Sequence, residues 1–273
     1  MKIQPEQHTN SYYAATTETS TDYPKLKGHQ NTDICIVGAG FSGISTGLHL
    51  SELGYKVTLV EANKVGWGAS GRNGGEIIGG FSGDELMARK YATKHSDLIW
   101  KMRWEGNDII RNKVQQYSIN CDLKWGYLDV AIKKKHLDMM QSWSEDMRSH
   151  DYPHEVNLFS KEKTANLIGT NKYIGSLLNM GNGHIHPLNL CIGEARAAES
   201  LGASIYEQSP VIKIEKSTKP KVYTEHGSIS ANALLLAGNA YHHFDKKMRN
   251  FIIPVNSFVI VTEPLSDEVI QKI

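Results

Sequence analysis

Cysteine is scarce in this 273-residue chain: Cys35, Cys121 and Cys191 stand far apart and form no CxxC pair. That argues against a disulfide framework and against a thiolate zinc site. Neither sign of charge dominates, because 30 Lys+Arg face 29 Asp+Glu for a formal net charge of +1. Without a basic surplus to neutralise phosphates, nucleic-acid binding is excluded as the main task. Long apolar runs are missing as well. Ala233–Ala237 (ALLLA) is far too short to span a bilayer. The polar start MKIQPEQHTNSYYAATTETSTDYPK lacks the apolar core of a signal peptide. The expectation is a soluble, cytoplasmic protein with neither a nucleic-acid nor a membrane partner. With 40% hydrophobic and 22% charged residues, the composition is that of a globular protein. The length suits one large domain or two interleaved ones.

What the chain does have is glycine, 24 residues of it, clustered rather than scattered. Residues 1–31, rich in Thr, Ser, Tyr and Asn without period, read as an arm laid on the surface or partly disordered. Asp33–Val37 (DICIV) then suits a buried parallel strand. Ser42–Leu53 follows with Ile44, Leu48 and Leu53 at helical spacing, Gly54 placed to end the helix, and Lys56–Val60 as the next strand. Together these make a βαβ unit. Residues 63–83 form a long glycine-rich loop, and loops of that length inside compact proteins are usually functional.

Further on, Asp84–Val114 reads as one long or two shorter helices with Leu86, Tyr91, Leu98, Met102, Ile109 and Ile110 on one face. Tyr127–Ile132 alternates as a strand. His136–Arg148 is a helix with Leu137, Met140, Trp143 and Met147 on its core stripe, preceded by a solvated KKK turn at 133–135. Pro187 opens a helix that runs to about Leu201 and closes at Gly202. Ala203–Tyr206 and Val211–Glu215 are strands. Lys221–His226 and Ser228–Ala231 form a hairpin around Gly227, Ala233–Ala237 is a fully buried strand, and Phe251–Thr262 is strand-rich although Pro254 interrupts it.

Two segments carry chemistry. Gly38-Ala39-Gly40-Phe41-Ser42-Gly43 is a GxGxxG placed after a strand and opening a helix. The first Gly permits the tight turn, the second lets a pyrophosphate approach the backbone, and the third lets helix and strand pack closely. The helix N-terminus then offers unpaired N–H groups and a positive dipole end to phosphate. Glu61 ends the second strand 21 residues beyond Gly40, where an acid can hold a ribose hydroxyl and repel a 2′-phosphate, which disfavours NADP. The second segment, Gly66-Trp67-Gly68-Ala69-Ser70-Gly71-Arg72-Asn73-Gly74-Gly75, comes directly after the acid-bearing strand. An NAD dehydrogenase has no use for so much glycine there, whereas a backbone lying flat against an isoalloxazine ring does, so FAD is favoured.

The run from Asp33 to Ala62, followed by GWGASGRNGG, resembles the D-amino-acid oxidase superfamily of FAD-dependent amine oxidoreductases; SYYAAT, GHIHPLNLCIGEA and LLLAGNAY extend the resemblance over nearly the whole chain. It implies an α/β fold in which a Rossmann-type FAD-binding domain is interleaved with a mixed-sheet substrate domain. The corresponding parts are an arm (1–31), FAD-binding segments at 32–83 and 187–245, and substrate-domain segments at 84–186 and 246–273. It implies that Gly38, Gly40, Phe41, Ser42, Gly43, Glu61 and Ala62 hold the ADP half. Gly68, Ala69, Ser70, Arg72, Asn73, Gly74 and Gly75 then lie along pyrophosphate and flavin. Val211 offers backbone to adenine, and Ala237 and Gly238 make the second approach. The implied reaction is oxidation of an amine C–N bond, on a gamma-glutamylated or free diamine, with oxygen as acceptor and hydrogen peroxide as product. A flavin oxidase of a secondary or small amino acid, of the sarcosine or glycine type, is the alternative. The late glycine-rich strand–helix element of the family is not reached before Ile273, so the chain is expected to be shortened, and a catalytically incompetent form stays open. No catalytic side chain and no metal site are assigned. His184 and His186, on an extended segment that aims both rings one way, are candidates near the substrate; His242-His243 reads as a surface pair, and Cys35 as inertly packed.

Overall fold

The structure, a computed structural model, describes residues 6–17, 19–241 and 250–270, the side chains of residues 85 and 92–94 excepted. In chain order the elements are α1 (Tyr12–Thr16), β1 (Gly28–Val37), α2 (Phe41–Glu52), β2 (Val57–Val60), β3 (Glu76–Ile77), α3 (Asp84–Gln116), β4 (Lys124–Ala131), α4 (Lys134–Ser149) and β5 (Val156–Ser160). Then come α5 (Lys161–Ile168), β6 (Gly175–His184), α6 (Pro187–Ser200), β7 (Ser204–Tyr206), β8 (Lys213–Glu215), β9 (Lys221–Tyr223), β10 (Gly227–Leu236) and α7 (Asp267–Ile270). The chain divides into two compact units. One comprises Met1–Gly74, Lys113–Cys121 and His186–Val259; the other comprises Gly75–Asn112, Asp122–Ile185 and Ile260–Ile273.

The first unit is built on a six-stranded sheet in the order β7-β2-β1-β10-β9-β8, parallel from β7 to β10 and antiparallel beyond. A parallel sheet is covered on both faces, which explains why DICIV and VTLV are apolar at consecutive rather than alternate positions. On one face Ile36, Val57, Leu59 and Ile205 pack with Ile44 and Leu48 of α2 and with Leu188, Ile192 and Ala195 of α6. On the other, Cys35, Val37 and Val60 meet Val211, Val222 and Ile229. Cys35 is buried in this layer, and burial pushes its thiol up to about 12, so it packs as a small hydrophobe. Gly54, at φ +83°, stands just past the end of α2.

The second unit holds an antiparallel four-stranded sheet centred on β6, with β4 along one edge and β5 and β3 sharing the other. Ala131, Leu177 and Met140 of α4 form a small core there. Ser160 caps α5 by accepting from the Lys163 N–H, and Gly169 ends it in the left-handed region at φ +67°.

Several expectations need correcting. β1 begins at Gly28 rather than Asp33, because Gly28–Thr32 ladder against Gly227–Ala231 by backbone alone, whatever their side chains. The arm before it is part of the fold, with Thr21 and Leu26 buried. Ala233–Ala237 is not a separate buried strand but the end of β10, where Leu236 is 44% exposed. The break at His95 (φ −140°) resets the helical phase of α3, so Leu86, Tyr91, Leu98 and Met102 are exposed while Ile99 and Asn107 are buried. Trp143 is also exposed, and Lys134–Lys135 start α4 rather than forming a turn. Residues 251–262 form no strand, since they pair with no other segment among the described residues.

Glu194, on α6, is buried among apolar residues, and that burial raises its carboxyl to about 7 although Lys113 pulls the other way. A carboxyl whose folded value exceeds its unfolded one stabilises fully below about 4.5 and loses that contribution as pH rises toward 7. Glu194→Gln is therefore expected to leave the melting temperature unchanged near pH 4 and to raise it at pH 8. The gain should be up to about 3 kcal/mol, read from thermal melts across that range.

Candidate dinucleotide site

The site follows from how β1 hands over to α2. Gly38 sits at φ +107°, and a Cβ there would stand 2.6 Å from the Ala237 carbonyl oxygen. Only glycine combines that conformation with that approach. Backbone bonds tie the turn to its neighbours: the Gly38 N–H donates to Val60 O at 2.8 Å, and the Ala237 N–H donates to Val37 O at 2.8 Å. Gly43, one turn into α2, is buried against the Gly38 carbonyl, which leaves no room for a side chain. Gly40 is the N-cap residue and makes no side-chain cap, so α2 presents N–H groups at its start.

The second glycine-rich segment folds over the first. Ser70 Oγ accepts the Phe41 N–H at 2.9 Å and lies 2.7 Å from where a Gly40 Cβ would stand. The Gly66 N–H donates to Ala39 O at 2.9 Å. Asn73 Nδ2 donates to Ala69 O and Ser70 O, closing the single 3-10 turn Ala69–Gly71 from outside. At the end of β2, Glu61 accepts the N–H groups of Ala39 (2.8 Å) and Asn63 (2.9 Å). Burial pushes its carboxyl up, and those N–H bonds pull it back.

Together these elements enclose a cleft of about 670 Å³ beyond the C-terminal ends of β1, β2 and β10. Of the residues expected there, Gly38, Gly40, Phe41, Ser42, Glu61, Ala62, Gly68, Ala69, Ser70, Val211, Ala237 and Gly238 line it. Gly43, Arg72, Asn73, Gly74 and Gly75 do not. Gly43 supports the turn from below. Arg72 turns back on its own loop, with Nε donating to Trp67 O at 2.7 Å and the guanidinium 4.3 Å from the centre of the Trp67 ring. Its Nη2 is buried without an acceptor. Sequence reasoning missed Asn63, Trp67, Thr46, Tyr241 and Ile252. Trp67 and Tyr241 meet edge-on with ring centres 5.8 Å apart, and both stand inside the motifs GWGASGRNGG and LLLAGNAY, so a signal for them existed.

The two histidine candidates part company. His184 is the exposed last residue of β6, in the second unit. His186 belongs to the first unit, is buried, and serves as N-cap of α6 by accepting the Asn189 N–H at 3.1 Å. Its Nε2 pairs with Thr16 Oγ1 at 3.1 Å, and Tyr13 packs on its ring. An N-cap needs its acceptor turned to the helix, so the ring does not follow the alternation expected of an extended strand. His242 and His243 lie outside the described residues. No cluster of metal-ligating side chains and no helix long and apolar enough to cross a membrane occurs among the described residues.

An open parallel sheet with a glycine-rich first βα turn, an acid ending the second strand and a cleft beyond the strand ends defines a dinucleotide-binding protein. The chain belongs to the DAO family of FAD dependent oxidoreductases, whose model matches residues 33–273. It is 35% identical over 279 residues to the probable oxidoreductase OrdL of Haemophilus influenzae, covering 98% of this chain and 64% of that protein. It is 34% identical over 270 residues to gamma-glutamylputrescine oxidoreductase of Escherichia coli, covering 98% and 63%. The chain thus spans a little under two thirds of the length of these relatives. Among solved structures, L-amino acid deaminase from Proteus vulgaris superposes with TM-score 0.67 at 20% identity, over 82% of this chain and 51% of that one. Glycine oxidase from Geobacillus kaustophilus gives 0.59 at 20%, over 78% and 57%. These two share the fold. The cofactor of the family is FAD, and the cleft fits it: the glycines leave the backbone bare where a pyrophosphate must approach, and Gly40 gives α2 no side-chain cap, its Phe41 N–H being met from the second loop by Ser70.

Two substitutions test this construction. Gly38→Ala forces a Cβ against the Ala237 carbonyl and is expected to cost about 1–3 kcal/mol and to abolish FAD retention after desalting. Ser70→Ala removes the acceptor of the Phe41 N–H. It should lower stability by about 1 kcal/mol and weaken FAD binding severalfold, measured by denaturant melts and flavin fluorescence titration.

Proposed function

We propose that this chain serves an FAD-dependent amine oxidoreductase whose substrate is a gamma-glutamylated or free diamine and whose electron acceptor is oxygen, giving hydrogen peroxide. The observation that carries the reading is the match over 98% of the chain to gamma-glutamylputrescine oxidoreductase at 34% identity, together with a cleft that fits the family's cofactor. FAD, when bound, supplies a hydride acceptor for the amine carbon. The chain's own residues bind and orient it. The first-turn N–H groups of α2 beyond Phe41 and the Ser70 hydroxyl would hold the pyrophosphate, and Glu61 would take the ribose hydroxyls with the lone pairs that Ala39 and Asn63 leave open. Val211 offers backbone to the adenine, and Ala237–Gly238 close the opposite wall. Oxidation of a neutral amine asks no strong base of the protein.

A second reading keeps the flavin and changes the substrate to a secondary or small amino acid. The fold likeness to glycine oxidase favours it, as does 22% identity over 213 residues to the glycine oxidase of Bacillus licheniformis. A panel of diamines, gamma-glutamylated diamines, sarcosine and glycine, assayed for peroxide, separates the two. Activity on the diamines alone supports the first reading, and activity on sarcosine or glycine alone overturns it. Glu61→Ala is expected to raise the FAD dissociation constant by about tenfold, the effect of losing one charge-assisted hydrogen bond. Unchanged occupancy in a fluorescence titration would remove the ribose assignment.

A further inference from the structure

The segment ahead of β1 does more than cover the surface. Glu207 is fully buried, and its carboxylate accepts from the hydroxyl of Thr21, from Tyr23 N–H (3.2 Å), from Val65 N–H (2.7 Å) and from Lys64 Nζ (2.9 Å). Two of these donors are in the arm, and two are in the loop that follows Glu61. Lys64 Nζ also donates to Thr21 O at 3.0 Å, so the pair ties arm to loop from both sides. Nearer the chain start, the Glu6 N–H donates to Asn63 Oδ1 at 2.9 Å, and Trp67 Nε1 donates to Gln7 O at 3.0 Å. Asn63 and Trp67 line the dinucleotide cleft, whereas no described residue of the arm does. Between these ends, Thr16 and Tyr13 hold the ring of His186, and Thr17 Oγ1 donates to Asn189 Oδ1 at 2.6 Å at the head of α6. That helix is the surface on which the loop's glycines rest: a Cβ on Gly66 would stand 2.9 Å from the Leu188 methyl.

We propose that residues 6–17 and 19–26 form a strap that presets the dinucleotide cleft, with Glu207 as its anchor and Asn63 and Trp67 as the two cleft-lining residues it positions. The inference rests on the reading that the cleft takes FAD. The physical case is one of preorganisation. The loop from Asn63 to Gly68 has neither helix nor strand to fix it, so its conformational entropy must be lost either before the ligand arrives or at the ligand's expense. Four hydrogen bonds at a fully buried carboxylate remove that entropy beforehand. Burying Glu207 is tolerated because every donor around it is ionised or a backbone or hydroxyl group already withdrawn from water. The arm then acts on the cofactor only through Asn63 and Trp67, which makes them positioning residues.

The test uses the full chain with FAD as probe. Hydrogen exchange of residues 7–17 and 60–67 is compared without and with FAD, and FAD affinity is measured by flavin quenching for wild type, Trp67→Phe, Glu207→Gln and Glu207→Ala. FAD is expected to slow arm exchange severalfold although the arm does not line the cleft. Trp67→Phe, which keeps an aromatic ring but loses the N–H together with one ring of the indole, should raise the dissociation constant about two- to tenfold and abolish the arm's response to FAD. Glu207→Gln, keeping one acceptor oxygen, should lie between wild type and Glu207→Ala. A purely structural role would lower melting temperatures while leaving affinity and arm protection in step with wild type. The proposal is overturned by wild-type FAD binding that leaves arm exchange unaltered, or by a Trp67→Phe chain that binds FAD as wild type does. Failure of wild type itself to quench FAD would bring down the cofactor reading as well, and is recognised before any variant is made.

Discussion

Everything at the cleft depends on how closely backbone can approach backbone at Gly38. The turn after β1 must clear the end of β10 and tuck under the first turn of α2 at once. A Cβ at 38 or 43 meets a carbonyl oxygen rather than a flexible side-chain tip, so nothing can give way. That constraint places the start of α2 at the strand ends, leaves its first N–H groups facing outward and brings the end of β10 alongside. Parallel pairing extends it: β1 ladders with β2 on one side and with β10 on the other, so the acid at the end of β2 and the Ala237–Gly238 wall arrive in fixed register. The site is thereby a property of sheet topology more than of any one side chain, in line with the rule that such sheets bind ligands outside their carboxyl ends.

The second glycine-rich segment adds a layer that depends on the first. Ser70 accepts the Phe41 N–H and Gly66 donates to Ala39, so the loop docks on the turn through hydrogen bonds that exist only when the turn is formed. From the opposite direction, Glu207 and the N-terminal strap hold the same loop, and Arg72 stacks on Trp67. A loop with this much glycine has a large entropy to lose, and its order is distributed over these three sources.

The central architecture was legible because its signals are local. Strand, glycine turn, helix and acid follow one another within thirty residues, and the periodicity of DICIV and VTLV reports burial on both faces. What escaped was held by long-range contacts. β6, the central strand of the second sheet, reads as GSLLNMGNGH, whose glycines and asparagines disfavour a strand locally. Yet a Gly181 Cβ would collide with Tyr152 and His154, and Asn179 accepts from the Tyr152 hydroxyl, so those residues are chosen for what packs over them. The arm looked disordered for the same reason: its polar residues are partners for Glu207, Asn63 and His186, none of which is near in sequence. His186 misled in the opposite way, since GHIHP suggested a chemical pair where the structure uses one ring as a helix cap.

Among the described residues, no lysine or arginine lines the cleft. Lys64 is tied to Glu207, and Arg72 is turned onto Trp67. What the described lining offers to negative charge is oriented dipoles, namely the N–H groups of α2 beyond Phe41 and the hydroxyls of Ser42 and Ser70. Such groups cost little to reorganise and hold a phosphate at a defined place, whereas a mobile lysine would hold it only by charge. Three carboxylates of this unit, Glu207 and Glu194 buried and Glu61 partly so, differ in their partners. Glu207 is matched by Lys64 and by N–H and O–H donors, Glu61 by two backbone N–H groups at the mouth of the cleft, and Glu194 by little beyond the field of Lys113. Burial opposes ionisation at Glu194 and at Glu61, where the backbone N–H groups offset part of that cost. Among the described cations near the loop, Lys64 is held by Glu207 and Arg72 by Trp67, so both serve to fix the loop.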